Sequence, residues 1–108
     1  MANLERVDLH LADGPERMCV WETQNIQIMR VRLGVGEAMP HHNSNSNVLL
    51  LPLHGTIKLV TPERIEVFRT GEALSVPYDV PMDVNNGGEE PALLLVLKAP
   101  HPKTFGQG

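Results

Sequence analysis

His41-His42, with Ser44 two residues on, is the segment where side chains most readily suggest chemistry. An imidazole can hold a metal or exchange a proton near neutral pH. In an extended strand, residues two apart share a face, so His42 and Ser44 should point the same way. A Ser–His pair is conceivable, but no third acid that would orient the imidazole is fixed by spacing. His42 likewise lacks a visible acid–base partner, which argues against acid–base catalysis. His41 should face away from His42, in a solvent-exposed loop. Arg30 and Arg32 alternate with Met29, Val31 and Leu33, which predicts a solvated outer face. An arginine aimed inward would instead select a carboxylate or phosphate. Cys19 is the only cysteine, so no internal disulfide and no CxxC pair can form. That fits a reducing, cytoplasmic setting.

The elements that position these residues must be strands. Nine prolines and nine glycines punctuate the chain at short intervals, and helical spacing is hard to find. Runs of Val, Ile and Leu between them predict strands near Val7–Leu11, Met18–Glu22, Ile26–Leu33, Val48–Leu53, Thr56–Val60, Ile65–Arg69, Ala73–Val76, Met82–Asn85 and Ala92–Lys98. Thr61-Pro62-Glu63-Arg64 suits a type I turn and should close a hairpin. Asn86-Gly87-Gly88 can supply positive φ angles for another tight connection. Pro100 to Gly108 reads as a loose tail.

The 108 residues suit one domain, and the 42% apolar and 20% charged content suits a globular core. The formal charge of −4 is dispersed and leaves no basic stripe, which argues against nucleic acid. No apolar run is long enough for a signal peptide or a bilayer span, so no membrane partner is expected. Val48–Leu51 and Leu93–Leu97 are apolar on both faces, whereas a half-exposed antiparallel strand should alternate. A second copy of the chain is the expected cover, giving a homodimer. The alternative cover is the chain's own N-terminal strands.

Gly36 to Gly55 resembles the first sequence motif of the cupins, G-x5-H-x-H-x3-E-x6-G, through Gly36, His42 and Gly55. Gly71 to Asn86 is similar to the second, G-x5-P-x-G-x2-H-x3-N, through Gly71, Pro77 and Asn86. The resemblance implies an all-β, single-domain, cupin-type double-stranded β-helix, or jelly-roll barrel. It divides the chain into an N-terminal strand or arm (1–17), a barrel (18–100) and a C-terminal tail (101–108).

Cupins usually hold a divalent metal with two histidines and a glutamate from the first motif and a histidine from the second. Those positions here are His42, Ser44, Val48 and Met82, and the second motif's central glycine is Asp79. One imidazole with a hydroxyl, an isopropyl group and a thioether is a poor set for Fe, Mn, Ni or Zn. No cofactor is therefore expected. His41, His42 and His54 are the remaining candidate ligands, and Met82 with His42 could suit Cu(I). His42, Ser44, Val48 and Met82 should line the pocket, and Tyr78, after Pro77, should stand at its mouth as a gate or a packing cap.

Three functions stay open. One is a metal-free or weakly metal-binding module that binds or senses a small molecule. The second is a metal-dependent enzyme of oxygenase or isomerase type with unusual ligands. The third is a structural or interaction protein whose barrel its own side chains fill. Whether any reaction is catalysed is not decided by these residues.

Overall fold

The structure is a computed structural model and describes residues 2–10 and 14–106. Nine strands are present among them: β1 (Arg17–Glu22), β2 (Gln27–Leu33), β3 (His42–Asn43), β4 (Val48–His54), β5 (Thr56–Val60), β6 (Ile65–Arg69), β7 (Leu74–Val76), β8 (Pro81–Asn86) and β9 (Ala92–Lys98). They form two antiparallel sheets, ordered β1-β2-β9-β4-β7 and β3-β8-β5-β6. This is the expected all-β jelly roll.

Alternation builds the core. Val48 and Leu50 of β4, Ile57 and Leu59 of β5, Met82 and Val84 of β8, and Leu94 and Val96 of β9 all turn inward into one cluster. Leu50, Ile57, Val84 and Leu94 are completely buried. Each such side chain contributes about 1.5–3 kcal/mol by leaving water. β4 and β9, the two strands apolar on both faces, pair from Val48↔Lys98 to His54↔Leu93 in the middle of the larger sheet. Pro52 can donate nothing to a ladder. The β7 pairing ends at Leu50, and the β9 register shifts between Pro52 and His54, so the proline sits where the ladder is already broken.

The Thr56–Val60 and Ile65–Arg69 hairpin forms as expected. Other expectations are corrected. Residues 7–10 of the expected strand Val7–Leu11 are not extended in a ladder, and Leu11 lies outside the described residues. β1 takes the sheet edge beside β2 instead. Arg30 is not solvated: it is fully buried, and its Nη2 donates to the Pro15 carbonyl at 3.0 Å. Arg32 donates its backbone N–H to Glu16 O at 2.8 Å and its Nη2 to Gly14 O. The segment ahead of β1 thus folds back over the outer face of β2, because its carbonyls need donors and the two guanidinium groups supply them.

The expected loose tail is also anchored, as far as Gly106. Pro102–Phe105 forms a 3-10 turn, and His101 and Pro102 are buried. Ser46 Oγ donates to Pro100 O, and the Phe105 ring stacks on Tyr78 with centroids 4.0 Å apart. His101 Nδ1 accepts from the Lys103 N–H, which leaves Nε2 to donate toward Glu22 Oε2 at 3.4 Å. A hydrogen bond from Gln27, followed by those from Cys19 and His101, holds the Glu22 carboxyl below its ordinary 4.5.

Two predictions follow from this packing. Leu50→Ala should lower unfolding free energy by about 2–5 kcal/mol in urea titrations. Glu22 is more acidic folded than unfolded, so its contribution is present above pH 4.5 and disappears as pH falls through the folded value. Glu22→Gln should therefore lower the melting temperature near neutral pH, and the gap to the parent should close on acidification.

Candidate functional site

The motif residues shape the loops at both ends of the barrel. Gly55, at φ 82°, lets β4 turn into β5, and a Cβ there would meet Ala92 Cα at 2.9 Å. Asp79, at the position of the second motif's central glycine, adopts a left-handed conformation at φ 63°. Aspartate tolerates that region better than most residues because its short polar side chain bonds locally. Here its Oδ1 accepts from Asn43 Nδ2 at 2.8 Å. Gly87 and Gly88 do not use positive φ, contrary to expectation. Asn86 gathers that connection by donating to the carbonyls of Leu33, Gly34 and Glu90 and accepting from Gly88 N–H.

Inside the barrel, His42, Val48 and Met82 line one small cavity of about 20 Å³, together with Met29, Met39, Asn45 and Lys98. β3 pairs His42 directly with Met82 of β8. Val48 and Met82 are each 3% exposed. They occupy the interior where a glutamate and a histidine would project in the family pattern. The remaining space is that of roughly one water molecule.

Ser44 does not share this lining. Its hydroxyl is buried, donates to Pro77 O and accepts from Val80 N–H at 2.9 Å, so it ties β3's exit to the Pro77–Val80 turn. The expectation of a common His42–Ser44 face fails because β3 ends at Asn43. His41 is exposed as expected, and its Nδ1 lies 2.8 Å from Asp83 Oδ1. His54 is exposed at the other end of β4, 3.6 Å from Glu90. Tyr78 is a packing cap against Phe105.

The donor set does not fit the family's metal. His42 is the one imidazole at the cavity, the Ser44 hydroxyl is spent on backbone groups, and Val48 has no donor. Among the described residues, no group of three or more His, Cys, Asp or Glu is arranged to hold an ion.

Polar groups gather where the barrel opens. His42, Asn45 and Lys98 are partly exposed, while Val31, Val48, Leu50, Met82, Val84 and Val96 behind them are buried. His42 Nδ1 lies 2.8 Å from the Pro40 carbonyl. A carbonyl only accepts, so Nδ1 carries the hydrogen and Nε2 is the acceptor of the neutral ring. Lys98 was not singled out by the sequence motifs. Its signal was parity, since it follows Leu94 and Val96 on the inward face of β9. Burial, then the charge of Arg17, pushes its ammonium below the ordinary 10.5.

A larger cleft of about 440 Å³ lies at the opposite end of β4 and β9, bordered by Arg32, Glu37 and His54. These side chains already serve the fold: Arg32 on Gly14 O, Glu37 on Gly34 N–H, His54 beside Glu90.

No protein-family model matches the chain. A protein of Methanocaldococcus jannaschii, itself uncharacterised, is 35% identical over 82 residues, which span 75% of this chain and 71% of that protein. The crystal structure of that protein, described as an RmlC-like cupin with a double-stranded β-helix fold, superposes with a TM-score of 0.82. The match is at 30% identity, over 97% of this chain and 99% of the other. A Thermus thermophilus structure matches at TM-score 0.72 and 24% identity over 93% of this chain and 96% of its own. A cupin-superfamily protein of Desulfitobacterium hafniense matches at 0.70 and 14% over 90% and 100%. The last two speak to fold alone.

Lys98 generates a prediction with a definite sign. Its folded form binds protons less readily than the unfolded chain, so stability rises with pH between the depressed value and 10.5. Lys98→Met should raise the melting temperature at neutral pH, and the gain should shrink as pH approaches 10.5.

Proposed function

Because the chain belongs to the RmlC-like cupin family, we propose that it is a metal-independent member that holds a small organic molecule at the open end of its barrel. The observation that carries this reading is the replacement of donors by packed apolar groups, Val48 and Met82, beside a single histidine. Apolar walls with a few convergent polar groups are the usual make-up of a small-molecule site. His42, Asn45 and Lys98 supply the polar groups, and Met29, Met39 and Met82 supply walls that can repack.

The cavity's small size favours a second reading, a structural or interaction protein with a self-filled barrel. The two differ in whether the methionines yield to a ligand. A metal-dependent enzyme is the least supported reading, since it needs ligands from outside the motif positions.

A second copy of the chain is the proposed partner. Leu49, Leu51, Leu53 and Leu97 remain only half-buried on the outer face of the larger sheet, while the N-terminal segment covers the neighbouring Arg30. No helix among the described residues is long and apolar enough to cross a membrane. The dispersed charge supports the absence of a nucleic-acid partner.

Metal analysis by mass spectrometry on untagged protein and on His42→Ala tests the main reading. Substoichiometric metal in both is the expected result. Near-stoichiometric metal in the parent that disappears in the variant would refute it. Sedimentation of the parent and of Leu51→Glu tests the partner: the parent should sediment as a dimer and the variant as a monomer.

A further inference from the structure

Lys98 poses a problem that the fold itself does not solve. Its side chain lines the barrel cavity on the inward face of β9, yet no carboxylate among the described residues lies within ion-pair distance of it. The carboxylates of Glu22, Asp83 and Glu90 are taken up with His101, His41 and His54 instead. A partly desolvated ammonium without a counter-charge is costly to keep. Its depressed proton affinity, caused first by burial and then by Arg17, reports the same cost.

The groups around it are complementary to one kind of molecule. Asn45 brings an amide that can donate, and His42 brings an imidazole whose Nδ1 is fixed on Pro40 O. Beside this polar rim stand Met29 and Met39, partly buried against the core, with Met82 buried behind them, all unbranched side chains that change rotamer readily. A cationic rim on an apolar, deformable interior fits a negative head with a short apolar body. A bare inorganic anion would leave the methionines unused, and an amine would meet Lys98 and Arg17 as like charges.

We propose that the open end of the barrel binds a small organic monocarboxylate, its carboxylate on Lys98 and Asn45 and its aliphatic part displacing the methionine side chains that line the cavity. This rests on the metal-independent reading above and names the ligand class for that site. The carboxylate would supply Lys98 with the counter-charge that no ion pair among the described residues provides. Binding only to the folded state would then stabilise the protein.

The test uses butyrate, butylammonium, butanol and inorganic phosphate as probes, at matched ionic strength, on full-length protein treated with chelator. Melting temperature and the methionine methyl resonances are read together. Butyrate at millimolar concentration should raise the melting temperature by a few degrees and shift the methyl signals of Met29, Met39 and Met82. Butylammonium, butanol and phosphate should do neither. Lys98→Met should fold, melt no lower than the parent and lose the butyrate response, while Lys98→Arg should keep part of it. A response to butanol equal to that of butyrate, or a response that survives in Lys98→Met, would overturn the role of Lys98. Phosphate acting as well as butyrate would overturn the ligand class. Silence to all four probes in chelator-treated protein would overturn the inference while leaving metal independence intact. A butyrate response that appears only when Mn²⁺ is restored would instead overturn the metal-independent reading beneath it.

Discussion

The pairing of β4 with β9 is the constraint on which the rest of this barrel depends. The two strands lie side by side within the larger sheet and bury Leu50, Leu94 and Val96 on its inner side. Because side chains alternate, that one register decides which residues face the interior. Val48 falls inside beside Lys98, and Leu49 falls outside beside Leu97. A slip of one residue would place Lys98 on the outer sheet face and bring Leu97 into the barrel. The cavity, its cationic rim and the outer leucines are therefore consequences of a single ladder.

The same ladder explains how a cupin framework survives the loss of its usual ligands. The framework's essential parts are backbone ones: the tight bend at Gly55, the left-handed turn at Asp79, and the carbonyls gathered by Asn86. None of these needs a metal. Where ligand side chains would have entered, Val48 and Met82 give contact area instead, which supports the core at close packing. Ser44 has moved from a possible ligand to a brace between β3 and the Pro77–Val80 turn.

Much of this was legible in the sequence. Eight strands could be placed because proline and glycine bracket them and because period-two alternation marks their inward faces. The two motifs pointed to the right fold even with most ligands gone, since their glycines, Pro77 and Asn86 serve turns rather than chemistry. What escaped was what only three-dimensional pairing decides. Val7–Leu11 has strand composition, but the edge of β2 was taken by β1. β3, at two residues, is too short and polar to announce itself. Arg30 looked solvated because alternation cannot reveal that Gly14–Glu16 folds across it. The tail looked loose because its anchors, Ser46, Glu22 and Tyr78, are remote in sequence. Lys98 escaped because neither motif includes its position, although its parity with Leu94 and Val96 places it on the inward face.

Metal independence of the barrel can be tested most directly by anomalous scattering from crystals grown in excess Mn²⁺. A barrel closed by Val48 and Met82 predicts no anomalous peak beside His42, with the Met82 side chain seated in the interior. A strong peak coordinated by His42, with Met82 displaced or bound through sulfur, would contradict it.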